Sequence, residues 1–147
     1  MGVRFREEWD WTGTLDLTAY LSIPECLRVL GGLLPGGWPA LMERNHALAL
    51  EGRGVLCEAL KVPPPCPEGM IGSMASLPLP AAAPDSPVAR LSGDLLAGWT
   101  RERGIEGWFF PWPCAGGKLV RISAQAYNHD EQYRALAALL TEALGGR

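Results

Sequence analysis

Proline and glycine punctuate this chain so often that it must contain many turns. They fill 31 of 147 positions, 18 Gly and 13 Pro, and they are spread along the chain rather than gathered in one tract. Each proline fixes φ and removes a backbone donor, and each glycine offers a turn. Spread in this way, they mean many turns between ordered elements rather than disorder. The strictest break is Pro63-Pro64-Pro65-Cys66-Pro67, which suits neither a helix nor a central strand and reads as a stiff connector.

Between the breaks, hydrophobic spacing assigns the elements. Residues 1–15 read as an extended, polar-aromatic lead-in, with Phe5, Trp9 and Trp11 among charges. Asp16 reads as an N-cap for a helix from Leu17 to Leu30, with Leu17, Tyr20, Leu21, Cys26, Leu27 and Leu30 at helical spacing and a kink at Pro24. Gly31-Gly32 ends it. A second helix is expected from Trp38 to Leu60, with Leu41, His46, Leu48, Leu50, Val55, Leu56 and Leu60 as its core positions.

After the connector, Ile71–Leu79 alternates as a strand does. Val88–Arg103 reads as a helix closed by Gly104, and Ile105–Phe110 as a short strand. Pro111–Gly117 reads as a hairpin-like turn and Lys118–Ala124 as a further strand. The last helix starts at Asn128–Asp130 with Asn128 as its cap, and Tyr133, Leu136, Ala137, Leu140 and Leu144 face inward. The order predicts one α+β domain over residues 16–147: a two-layer sandwich of a small, mostly antiparallel sheet with helices on one face.

A hydrophobic share of 48% and a charged share of 20% suit such a domain. The net charge of -3 argues against a general nucleic-acid binder. No window of about 20 apolar residues exists, so no membrane-spanning helix is expected. Met1–Glu8 has no apolar run like that of a signal peptide, and a cytoplasmic protein is expected.

No general catalytic motif appears, neither a phosphate-binding glycine loop nor a nucleophile elbow nor a metal-binding HExxH. Cys26, Cys57, Cys66 and Cys114 form no CxxC pair, so no zinc site is expected. Cys26 and Cys57 fall on apolar helix faces and read as buried small hydrophobes. His46 and His129 read as structural, and Trp9 and Trp11 as core or interface anchors. A small stand-alone enzyme built on Cys114 or His46 would lack its other catalytic groups.

Arg121 stands out because it interrupts the apolar, β-branched run Leu119-Val120-Arg121-Ile122-Ser123. A guanidinium there can grip a carboxylate through a bidentate fork, or it can simply face water on the alternating side of the strand.

Four segments together resemble class V aminotransferases, nearest the isopenicillin N epimerase-like branch. Trp11-Thr12-Gly13-Thr14-Leu15-Asp16-Leu17-Thr18-Ala19-Tyr20-Leu21 is similar to that family's W-x-G-T-x-D-x-[ST]-x-Y/F-L stretch. Arg44-Asn45-His46-Ala47-Leu48-Ala49 resembles the helix that follows it, and Met70-Ile71-Gly72-Ser73-Met74-Ala75 resembles its S/G-M-x-G-S-M-A strand. Arg121-Ile122-Ser123-Ala124-Gln125-Ala126-Tyr127-Asn128 resembles its R-[IL]-S-x-x-x-Y-N segment. Order and spacing agree over roughly residues 5–144.

The resemblance implies the C-terminal small domain of a fold type I enzyme that uses pyridoxal 5'-phosphate. It implies that Arg121 holds the α-carboxylate of an amino-acid substrate. It also implies a dimer in which Gly13 and Thr14 reach the cofactor phosphate of the other subunit. The family's Schiff-base lysine, its pyridine-facing aspartate and its stacking aromatic belong to an N-terminal large domain. The chain has only two lysines, Lys61 and Lys118, and neither lies in the family's lysine context.

No residue of this chain is therefore expected to be catalytic. It is expected to be inactive alone, and to complete a site as a homodimer or with a separately encoded large-domain chain. The alternative is a non-catalytic binding or interaction module derived from the same fold.

Overall fold

A computed structural model describes residues 2–10, 13–14, 16–112 and 117–145. Its centre is a three-stranded antiparallel sheet of β1 (Met74–Pro78), β2 (Trp108–Pro111) and β3 (Lys118–Ser123), in the order β1-β3-β2. Strand β3 is central: Arg121 pairs with Ser76 on one side and with Trp108 on the other. Both edge strands end in proline, Pro78 opposite Leu119 and Pro111 opposite Lys118.

Alternation divides the sheet into two unlike faces. Ala75, Leu77, Phe109, Val120 and Ile122 are buried in the core. Paired residues share a face, so Met74 lies with Ser123, Ser76 with Arg121 and Trp108, and Pro78 with Leu119 and Phe110. On this second face Met74, Ser76, Trp108 and Ser123 are exposed.

Helices α4 (Gly37–Leu60) and α7 (Asp130–Ala143) pack on each other and cover the first face. The chain is thus the expected two-layer α+β sandwich. Leu56, Leu77, Leu96, Val120 and Leu140 are completely inaccessible to solvent in this core. Gly52 sets the crossing of the two helices, since a Cβ there would meet ring carbons of Tyr133 at 2.8 Å. The Tyr133 hydroxyl donates to the Ser123 carbonyl at 2.7 Å, tying α7 to the end of β3.

Several elements depart from expectation. Residues Gly2–Trp9 form a helix, α1, rather than an extended lead-in; i,i+4 pairs such as Arg4 with Glu8 suit that state. Trp11 and the Phe5 side chain lie outside the described residues, as does the turn at 113–116.

The expected helix at 17–30 is two pieces, α2 (Thr18–Leu21) and α3 (Ile23–Gly31), divided one residue before Ile23-Pro24. Asp16 does supply the capping oxygen, accepting from the Thr18 amide at 2.9 Å, although the cap position itself falls at Leu17. The expected core stripe of this segment is not buried: Leu17, Tyr20, Leu21, Cys26 and Leu27 are all exposed.

The helix expected at 88–103 is also split, into α5 (Pro87–Arg90) and α6 (Gly93–Arg101). Ser92 breaks it by capping α6, its hydroxyl accepting from the Leu95 amide at 3.4 Å. The cap of α7 is His129, not Asn128. The Asn128 side-chain oxygen instead accepts from the Gln125 amide, closing the loop before the helix.

Candidate functional site

Arg121 sits in the middle of the sheet face that α4 and α7 do not cover, because its neighbours Val120 and Ile122 are drawn into the core. The side chain leans across the sheet onto β2. Its guanidinium carbon lies 5.2 Å from the centre of the Phe110 ring and 5.9 Å from that of Trp108. The two rings stack on each other, 6.1 Å apart and 16° from parallel. A cation over aromatic faces is held by their quadrupoles.

That arrangement leaves a donor unanswered. Arg121 Nε is buried and has no hydrogen-bond partner. None of the ion pairs among the described residues includes Arg121. A buried donor without an acceptor costs about 1–3 kcal/mol. A carboxylate laid against the guanidinium edge would supply the missing acceptor and balance the charge.

The loop that follows β3 is braced by α4. Arg44 donates from Nη1 to the Gln125 carbonyl at 3.1 Å and from Nη2 to the Asn128 carbonyl at 3.0 Å. Asn45, buried, donates from Nδ2 to Gln125 Oε1 at 3.0 Å. His46 Nδ1 lies 3.3 Å from the Gly72 carbonyl, and the Ala124 amide donates to the Ser73 carbonyl at 2.7 Å. The segments 44–49, 70–75 and 121–128, far apart in sequence, thus meet at one end of the sheet. Their polar side chains hold the backbone rather than line a reaction centre, so His46 is structural here. So is His129, the cap of α7, whose Nδ1 pairs with Glu131 at 2.7 Å.

Gly13 and Thr14 are not brought to Arg121. Nothing lies within 4 Å of a Cβ built on Gly13, Thr14 is exposed, and the flanking helices α1 and α2 make no substantial contact with the sheet. Gly13 has φ +127°, a conformation suited to glycine.

Neither lysine shares the face of Arg121. Lys118 alternates with Arg121 onto the opposite side of β3, and its Nζ donates to the Val88 carbonyl. Lys61 is the C-cap of α4, the helix on the covered side. The described residues therefore do not fit pyridoxal phosphate by themselves. Neither Lys61 nor Lys118 stands beside Arg121 to condense with the cofactor's aldehyde, and the expected role of Gly13 and Thr14 concerns another subunit.

The remaining reactive groups have structural explanations. Cys57 is buried, and burial pushes its thiol pKa up, which suppresses the thiolate. Cys66 is half-buried and Cys26 exposed, against the expectation that Cys26 packs inside; Cys114 lies outside the described residues. Among the described residues no group of three or more His, Cys, Asp or Glu side chains is placed to hold a metal. No helix among them is long and apolar enough to cross a membrane.

An open cleft of about 400 Å³ lies between the start of α6 and the Pro111 end of the sheet, lined by Ser92, Asp94, Trp112 and Lys118. Its one lysine is already bonded to Val88, and it is not part of the Arg121 face.

Two site residues escape a reading of spacing. Trp108 and Phe110 belong to a short run that announces only a strand. Their meaning comes from pairing beside Arg121, and register across strands is not written in local sequence. No family model matches the chain, and no curated protein matches it.

Proposed function

We propose that this chain is the C-terminal, substrate-binding portion of a pyridoxal-phosphate-dependent protein of the class V aminotransferase or epimerase kind, acting on an amino acid. Arg121 receives the substrate's α-carboxylate. Gly13 and Thr14 serve the cofactor phosphate of another subunit. The lysine that carries the cofactor comes from outside these residues, in a homodimer or a large-domain partner, and the chain alone is inactive.

The observation that carries this reading is the buried, unanswered Nε of Arg121 on an uncovered sheet face. The motif segments support it, since three of them, 44–49, 70–75 and 121–128, are joined by hydrogen bonds at the loop that follows β3.

Titrating the chain with an α-amino acid tests it. Saturable shifts are expected at Arg121, weakened about tenfold or more in Arg121→Gln, because a hydrogen bond to a charged group contributes about 1.5–3 kcal/mol. Equal binding by the variant overturns the assignment. In parallel, borohydride treatment with pyridoxal phosphate is expected to leave both lysines unmodified. A stable adduct on Lys61 or Lys118 overturns the statement that the chain is inactive alone.

A second reading, a non-catalytic interaction module of the same fold, rests on a different observation. The segment α2–α3 exposes Tyr20 at 67% and Leu21 at 76%, together with Ile23 and Leu27. Such a row is a protein-binding surface when it is contiguous. In that case Arg121→Gln leaves amino-acid titrations unchanged, while Leu21→Ser and Leu27→Ser abolish concentration-dependent association in light scattering.

A further inference from the structure

We infer that the ligand received at Arg121 is a carboxylate joined to an aromatic or bulky apolar body, and that Trp108 and Phe110 hold that body. This rests on Arg121 as the carboxylate receiver and adds the class of substrate.

The uncovered face is built from three rows: Met74 with Ser123; Ser76, Arg121 and Trp108; and Pro78, Leu119 and Phe110. Arg121 is the one charged residue among these eight. A second carboxylate on the ligand would therefore find no cation on this face. A cationic side chain would meet only the guanidinium, which repels it.

An apolar body has a place to go. Trp108 is 62% exposed and Met74 52%, so both still have surface to bury. The guanidinium lies over both stacked rings, so its carboxylate edge and the ring faces are neighbours. A ligand that bonds the first lays its body on the second. Aromatic pairs add attraction beyond that of the area they bury. A small carboxylate answers Arg121 Nε equally well but leaves Trp108 in water.

The test is a titration followed by NMR at the Trp108 indole N–H, assigned with Trp108→Phe. The probes are L-phenylalanine, L-alanine, L-aspartate and phenethylamine. L-Phenylalanine is expected to bind about tenfold more tightly than L-alanine or L-aspartate, and phenethylamine not to bind. Trp108→Ala is expected to remove the advantage of L-phenylalanine and leave L-alanine unchanged. Circular dichroism checks that this exposed substitution leaves the fold intact.

If the three amino acids bind alike and all depend on Arg121, the substrate class is wrong and the carboxylate role stands. If Arg121→Gln changes nothing, or no amino acid binds, the carboxylate role itself fails and this inference falls with it. Binding of phenethylamine as tight as that of L-phenylalanine would make the face a neutral stacking platform and overturn the inference.

Discussion

Helices α7 and α3 carry the same kind of apolar repeat, and they meet opposite fates. In α7, Tyr133, Leu136, Ala137, Leu139, Leu140 and Ala143 are all buried. In α3 no residue is buried, and Ile23, Leu27 and Val29 remain about half exposed. The difference is not in the stripes. It lies in what stands opposite them.

Helix α7 faces the long helix α4 and the core side of the sheet, while α3 only leans on the beginning of α4, where the Trp38 indole donates to the Leu27 carbonyl at 3.2 Å. Periodicity states that a face is ready to be buried. Whether it is buried depends on an opposing surface, and for α3 none exists among the described residues.

The sharpest way to break this comparison is to delete matched leucines. Leu140→Ala empties a fully buried site and is expected to cost about 2–5 kcal/mol, seen as a lowered midpoint in urea. Leu27→Ala is expected to stay within about 0.5 kcal/mol of the parent. Equal losses would mean that α3 is covered in solution.

A smaller effect contrasts the two sides of α4. Gly52→Ala places a methyl against the Tyr133 ring and is expected to destabilise by about 1–3 kcal/mol. Gly54→Ala, with nothing within 4 Å of the new Cβ, is expected to stabilise by up to about 1 kcal/mol through helix propensity. Thermal melts of the two variants should move in opposite directions.

The smallest effect concerns the start of α2. Hydrogen bonds from the Thr18 side chain and amide hold the Asp16 carboxyl below its ordinary value of 3.8. Because the folded pKa is the lower one, the cap is fully formed above that value and is lost as pH falls through the depressed one. The Thr18 amide shift is expected to titrate with a midpoint below 3.8, with no measurable change in global stability. A midpoint at or above 3.8 would mean that the cap does not form.

The long α4 shows how far the sequence could be read. Its extent was legible, since the leucine repeat and the flanking turns bound it. Its inner face was only half legible. Leu41, Leu56 and Leu60 are buried as expected, but His46, Leu48, Leu50 and Val55 are only partly so.

The rest of that face is Asn45, Ala49, Gly52, Arg53 and Cys57. Polar and small residues fill it because other parts of the chain answer them. Asn45 meets Gln125, Gly52 admits Tyr133, and Arg53 donates to the Cys66 carbonyl at 2.9 Å. Each partner is distant in sequence, so hydropathy pointed to the wrong neighbours. Similarly, Arg121 was conspicuous as an intruder in an apolar strand, whereas Trp108 and Phe110 gained their role only through pairing register.

The prolines that close both edge strands carry a consequence for self-association. An open three-stranded ribbon invites further strands to add at its margins, the first step toward fibrous aggregates. Pro78 and Pro111 stand opposite adjoining residues of β3, Leu119 and Lys118, so both margins are blunted at the same end. A proline has no amide hydrogen to offer an incoming strand, and its ring obstructs the approach. Any strand added from another molecule would have to enter from the Met74 and Trp108 end, where the chain exposes its side chains rather than a bare ladder's full length. The same rings that first read as interruptions thus act as stops against runaway polymerisation.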